Sequence, residues 1–165
     1  MRKNPIVLAA VLLGCTTARP EERARFEAVR TRADRAVILE DWPMDGAASV
    51  APGVFRGAAP SKKELEFLRE KGVRTVINLR THHSEADDVR AAGLDSIEIP
   101  LRADAFGSRA PTEDEIDAFL DAVTDIDRLP AYVHCAHGVD RTGTMIALYR
   151  IEIMGWSNED AVAEM

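Results

Sequence analysis

The sequence predicts an α/β fold, a three-layer sandwich in which helices flank a mostly parallel central sheet of about four to five strands. Short apolar runs of strand length alternate with segments of helical periodicity, as is typical of parallel strands joined by crossover helices. Two of the helical segments open with Ser or Thr followed three residues later by Glu. A content of 46% hydrophobic and 30% charged residues suits one globular domain.

The first fourteen residues have the pattern of a secretory signal. Arg2 and Lys3 precede the apolar run Ile6–Leu13, which is far shorter than the roughly 20 residues that span a bilayer. The sequence LLGC, ending at Cys15, resembles the lipobox of bacterial lipoproteins. The resemblance implies a lipid on Cys15 and a place on the periplasmic side of the bacterial cell envelope, with membrane contact through that lipid only. An ordinary cleaved signal, or a leader without function, is the alternative.

Between the signal and the domain the chain is charged and irregular. We expect residues 15–48 to form a tether, since 19–35 is highly charged and Asp41–Ala51 combines proline, glycine and alanine. The domain is therefore placed at residues 49–165. Its first strand, Val54–Arg56, follows a Pro-Gly turn signal.

A helix and a buried strand come next. Ser61 and Glu64 form a capping box, and the helix that they open is expected to stop at Gly72. The run Val73–Leu79 is rich in β-branched residues and predicts a buried strand.

The second half of the domain repeats this alternation. A short helix closes at 90–93, a strand follows at Ser96–Pro100, and Thr112 with Glu115 opens another capped helix. In that helix apolar residues recur at the spacing of a face packed on a sheet: Ile116, Phe119, Leu120 and Val123.

The last predicted elements frame a distinctive loop. They are the strand Ala131–His134 and the helix Thr142–Met154, which is apolar nearly all round and should be buried. A final capped helix starts at Ser157 or Asn158, and the chain stops after about two turns, so its C-terminus looks clipped.

The loop between that strand and the buried helix reads HCAHGVDRTG. Backbone N–H groups that follow a strand and open a helix converge on one point and favour an anion. Cys135 begins the loop, and Arg141 closes it with a planar guanidinium suited to two phosphate oxygens. The residues expected to bind phosphate are Ala136, His137, Gly138, Val139, Asp140 and Arg141.

These residue types suit attack by sulfur on phosphorus. A thiol beside a helix N-terminus and a guanidinium should have a depressed pKa, and the thiolate of Cys135 is the nucleophile. Thr142 can donate a hydrogen bond to that sulfur, and His134 is expected to orient the loop by hydrogen bonds. Neither a metal nor another cofactor is required.

The loop resembles the signature H-C-x-x-G-x-x-R-[ST]-G of cysteine-dependent protein tyrosine and dual-specificity phosphatases, and it is most similar to small bacterial dual-specificity phosphatases. The resemblance covers about 100 residues through the stretches VFRG, GVRTVINLR and IPL. It implies a dual-specificity phosphatase-like fold and hydrolysis of phosphomonoesters through a phosphocysteine on Cys135.

The resemblance also implies a general acid on a loop before the last long helices. Here that loop is Arg102–Gly107, and Asp104 is its only carboxylate. Asp140 is the rival, because a C-x4-D-R arrangement occurs in some phosphoinositide phosphatases, or it caps the following helix. Asp114 and Glu115 fit helix caps better.

Several alternatives remain at the level of the sequence. The substrate is a phosphorylated protein, a phosphoinositide or an inositol phosphate; a pseudophosphatase that binds phosphate without turnover and a sulfur-transfer enzyme are the rival classes. Nucleic acid is a poor partner, because loss of residues 1–14 lowers the net charge from −7 to −9 by removing Arg2 and Lys3. With only two cysteines, a disulfide between Cys15 and Cys135 is the competing use of the thiol.

Overall fold

A computed structural model describes residues 35–104 and 107–165, without the side chains of 103, 104, 107 and 108. Its centre is a six-stranded sheet. The strands of that sheet are β1 (Val37–Ile38), β2 (Ala48–Ala51), β3 (Val54–Gly57), β4 (Thr75–Asn78), β5 (Asp95–Glu98) and β8 (Ala131–His134), and a separate hairpin contains β6 (Ala103–Asp104) and β7 (Gly107–Ser108).

The strand order brings the carboxyl ends of three parallel strands together. The sheet runs β1-β2-β3-β8-β4-β5, and β8 lies parallel to both of its neighbours. Gly57 at the end of β3 and Asn78 at the end of β4 both pair with His134 at the end of β8. The residues that follow these strands therefore meet at one edge of the sheet, where α/β proteins usually hold their ligands.

Helices cover both faces of the sheet and give the predicted three layers. They are α1 (Lys62–Glu70), α2 (Ala86–Ala91), α3 (Glu113–Thr124), α4 (Asp140–Glu152) and α5 (Asn158–Ala163). Because strand side chains alternate, Ile77 and Val133 enter the core under α3 and α4, while Val76 and Tyr132 enter the core under α1 and α2. The α/β fold class and the buried position of α4 are thereby confirmed.

The sheet has one more strand than the expected range and is mixed. β1 pairs with β2, and β2 with β3, in antiparallel fashion. The expectation of irregular chain over Asp41–Ala51 is wrong for this reason: β2 begins at Ala48, and Met44 and Ala47 are buried beside it. Alanine and serine carry little strand propensity, so β2 depends on its pairing with β3 across the turn at Gly53, whose φ is +82°.

Local start and stop signals agree closely with the structure. Both predicted capping boxes are present, at Ser61 with Glu64 and at Thr112 with Glu115. The strand expected at 96–100 lies slightly earlier, at β5. The signal sequence, Cys15 and most of the charged tether fall outside the described residues. Within residues 35–104 and 107–165, no helix is long and apolar enough to span a membrane.

Candidate active site

The loop after β8 lies where the parallel strands end and a helix begins. Helix α4 starts at Asp140 with Val139 as its N-cap, two residues before the position expected from the sequence. The loop thus connects the carboxyl end of a central strand to a helix N-terminus. Backbone N–H groups and the helix dipole both favour an anion at such a junction.

Cys135 is a buried free thiol at the base of this loop, with 3% of its surface exposed. Burial alone raises the pKa of the thiol, but hydrogen bonds from the Thr142 side chain and from the backbone N–H groups of Thr142, Gly138 and His137 outweigh it and lower the pKa below its ordinary value. The surroundings of the sulfur therefore favour the thiolate.

Gly138 brings the loop into direct contact with the end of β3. Its φ is +72°, and a Cβ placed there would lie 2.7 Å from the backbone nitrogen of Ala58 and closer still to the carbonyl group of Gly57. On the same side, the N–H of Ala59 donates to the carbonyl of Ala136 at 3.1 Å. Only glycine allows both this conformation and this approach.

Arg56, on β3, also holds the loop in place. Its guanidinium is 93% buried and Nη2 donates to the carbonyl of Gly138 at 2.7 Å. Burial lowers the pKa of Arg56, while the nearby charges of Glu164 and Cys135 oppose that shift. The bond of Arg56 to the loop therefore goes to a backbone carbonyl.

Arg141 lines a cleft of about 630 Å³ beside the loop. Its Nη1 donates to the carbonyl oxygen of Leu79 at 3.4 Å, which is a long hydrogen bond. The lining is strongly basic and contains Arg80, Thr81, His82, His83, Arg102, Ala136 and Arg141. In a chain of net charge −7 this cleft is a local site for anions.

His134 connects the loop to a second buried charge. Its ring is fully buried, with Nδ1 3.0 Å from the carbonyl oxygen of Cys135 and Nε2 2.5 Å from Oε1 of Glu85. The other carboxylate oxygen of Glu85 accepts from Nη2 of Arg80 at 2.5 Å. The sequence placed His134 beside the loop but gave Glu85 no role there, since a glutamate in an acidic, polar stretch carries no signal of a buried contact.

The two candidates for the general acid lie in different settings. Asp104 ends β6, where its backbone pairs with that of Gly107, and its side chain lies outside the described part of the chain. Asp140 is the first residue of α4 and is exposed. It is therefore not the N-cap, and no side chain caps α4. Glu115 does cap its helix, as expected.

The remaining predicted phosphate-binding residues surround the loop. Ala136 is half-buried and lines the cleft, whereas the side chains of His137 and Val139 are exposed. Within the described ranges, no three His, Cys, Asp or Glu side chains are grouped to hold a metal ion. Glu85 in particular is committed to Arg80 and His134.

The comparisons with known proteins agree on one family. Residues 24–165 match the family described as DSP-PTPase phosphatase fused to NAD+ kinase. The dual specificity protein phosphatase TpbA of Pseudomonas aeruginosa is 30% identical over 169 residues, which is 96% of this chain and 67% of the relative. Its crystal structure superimposes with a TM-score of 0.66 at 25% identity, covering 82% of this chain and 80% of that one. The inositol diphosphatase DSP3 of Arabidopsis thaliana is 22% identical, over 74% of this chain and 61% of the relative.

Proposed function

The chain belongs to the DSP-PTPase phosphatase family and is a phosphoric monoester hydrolase, and we propose that it dephosphorylates tyrosine and serine or threonine residues of proteins. The similarity to TpbA over nearly the whole chain supports this specificity. One structural observation carries the proposal. A buried cysteine of lowered pKa receives hydrogen bonds from loop amides at a helix N-terminus, with an arginine at the mouth of the adjoining cleft.

The first chemical step uses the sulfur of Cys135. The thiolate attacks phosphorus, an S–P bond forms, and the bond from phosphorus to the substrate oxygen breaks. Arg141 and the loop amides bind the three equatorial oxygens as negative charge spreads over them. Water then attacks the phosphocysteine, the S–P bond breaks, and inorganic phosphate leaves. The hydrogen bond from Thr142 stabilises the sulfur as it departs.

A proton must reach the leaving oxygen in the first step and be taken from water in the second. We assign both transfers to Asp104, whose backbone lies in the hairpin β6–β7 that follows the strand β5. Asp140 is the alternative, because it lies inside the loop itself.

A second candidate function is hydrolysis of inositol phosphates or phosphoinositides. The observation that favours it is the basic lining of the cleft, where Arg80 and Arg102 accompany Arg141. A phosphotyrosine side chain carries one phosphate, and these additional cations suit a substrate with more than one. DSP3 is named as an inositol diphosphatase, which supports the same alternative.

The test is hydrolysis of an aryl phosphate, phosphopeptides and an inositol polyphosphate by the purified domain from residue 16, with reductant and chelator. We expect turnover that survives the chelator, disappears in Cys135→Ser and falls about 100-fold in Asp104→Asn. Undiminished activity of Asp104→Asn together with loss in Asp140→Asn would move the acid to Asp140. Higher kcat/KM for inositol polyphosphate than for phosphopeptides would favour the second candidate.

Two other outcomes would refute the proposal. Binding of phosphopeptide without turnover by the wild type would make the chain a pseudophosphatase. Turnover of thiosulfate exceeding that of phosphate esters would make it a sulfur-transfer enzyme.

We also propose that the domain is held by a lipid on Cys15 at the periplasmic side of the bacterial envelope. The support is the sequence LLGC after a basic and apolar leader. Cys15→Ser should release the protein into the soluble periplasmic fraction. Unchanged membrane fractionation of that variant would refute the lipid anchor.

A further inference from the structure

Two buried polar atoms beside the nucleophile loop face each other and have no other partner. Nε2 of His134 and Oε1 of Glu85 are 2.5 Å apart, within ion-pair distance, and neither atom makes an aligned hydrogen bond to any described residue. Buried polar atoms without a hydrogen bond destabilise a fold, so charge attraction between these two atoms is what can offset their burial. The carboxylate of this pair is in turn only 10% exposed.

The contacts of the His134 ring determine where its protons must be. Nδ1 lies 3.0 Å from the carbonyl oxygen of Cys135, and a carbonyl oxygen only accepts, so Nδ1 must carry a proton. Nε2 lies 2.5 Å from one oxygen of the Glu85 carboxylate, and the second oxygen of that carboxylate accepts from Arg80 at 2.5 Å. A carboxylate also only accepts, so Nε2 must carry a proton as well. Both ring nitrogens are then donors, and the ring is an imidazolium.

We propose that Glu85 is a positioning residue for the phosphatase reaction and that it holds the ring of His134 doubly protonated. The Nδ1–H of His134 then fixes the carbonyl of Cys135, and the charge of the ring stabilises the thiolate. Arg80 extends the same chain to the cleft, since its guanidinium both binds Glu85 and lines the cleft wall. The inference rests on the proposed role of Cys135 as the nucleophile.

The other groups around the ring are compatible with a single positive charge. Tyr132 stacks on His134 with ring centroids 6.0 Å apart, and burial raises the pKa of its hydroxyl, so it stays neutral. The charged side chains in contact with the ring or with its carboxylate partner are therefore Glu85 and Arg80, and the Cys135 thiolate belongs to the next residue in the chain. One carboxylate and one thiolate balance one guanidinium and one imidazolium, so the cluster is close to neutral overall.

The experiment measures alkylation of Cys135 by iodoacetamide across pH in reduced protein. This neutral reagent reports the thiolate and requires neither substrate nor phosphatase activity. In Glu85→Gln the carboxylate charge is lost with little change of shape. We expect the alkylation profile of this variant to shift to higher pH. Below the midpoint of the profile the rate should fall about tenfold, because there each unit by which the pKa of Cys135 rises reduces the thiolate fraction tenfold.

Glu98→Gln is the matched control. Glu98 is exposed, its Oε1 accepts from the backbone N–H of Glu85 at 3.2 Å, and the variant removes the same charge without touching His134. Its alkylation profile should match that of the wild type. A wild-type profile in Glu85→Gln, or a lower melting temperature with no change of profile, would show that Glu85 is only structural and would overturn the proposal.

A measurement on the wild type keeps the test independent of how the variant folds. The ¹⁵N resonances of the His134 side chain at pH 7 should show protons on both ring nitrogens. A neutral ring with a bare Nε2 would overturn the proposal. Wild-type protein with a doubly protonated His134 and fast alkylation but no turnover would instead refute the proposed function alone.

Discussion

Replacing Gly138 by alanine isolates the contact that seats the nucleophile loop against β3. The variant adds one methyl group at a residue with φ of +72°. That methyl carbon would lie 2.7 Å from the Ala58 nitrogen, whereas ordinary contact begins at 3.4 Å. The atoms that it meets belong to the backbone at the end of a central sheet strand and cannot rotate away, so the loop itself must shift by roughly 1 Å.

The expected magnitudes follow from these two effects. Placing alanine in the left-handed region costs about 1–2 kcal/mol of stability. A displacement of about 1 Å in a group that positions the reacting atoms lowers the rate about 100-fold. The amide of Gly138 also contributes to the lowered pKa of Cys135, so alkylation of the thiol at pH 6 should slow as well. We therefore expect Gly138→Ala to fold, with kcat/KM for an aryl phosphate reduced about 100-fold or more.

Gly155→Ala is the control for backbone strain alone. Gly155 also has φ of +72°, but no atom lies within 4 Å of the position of its Cβ. This variant should lose similar stability in urea denaturation and keep the kcat/KM of the wild type. If Gly138→Ala retained kcat/KM within threefold of Gly155→Ala, the close packing of the loop on β3 would be irrelevant to the site and the reasoning would be refuted.

Two further predictions concern stability. Because folding lowers the pKa of Cys135, the native state binds fewer protons than the unfolded state between the native pKa and about 8.5. The free energy of unfolding of the wild type relative to Cys135→Ser should therefore rise with pH across that window. A difference between the two proteins that stays constant with pH in urea denaturation would contradict this prediction. Glu164 accepts from Nε and Nη2 of the fully buried Arg150 at 2.7 and 2.9 Å, so Glu164→Ala should cost about 3–5 kcal/mol in the same assay. Asp88→Asn breaks an exposed pair with Lys62 and should leave the free energy of unfolding nearly unchanged. An equal loss in both variants would contradict the assigned burial.

The sequence predicted the helices, strands and loops that depend on residues close together in the chain. Ser61 and Thr112 opened helices where expected, because a capping box needs only residues three apart. The strand Ala131–His134 has its predicted bounds, and α4 begins within two residues of the predicted start. The loop from Cys135 was recognisable for the same reason, since nucleophile, glycine, arginine and threonine follow one another within eight residues.

Tertiary structure alone decided which elements meet. β2 was missed because its residues have weak strand propensity and are held by pairing with β3. The order that places β8 between β3 and β4 brings Arg56, 82 residues away, to the carbonyl of Gly138, and brings Glu85 to His134. Such contacts cannot be predicted from hydrophobic periodicity or from short motifs, because they depend on strand order and burial rather than on neighbours in the chain. The sequence by itself therefore determined the residues expected to carry the chemistry, and the fold determined the buried charges that surround and hold them.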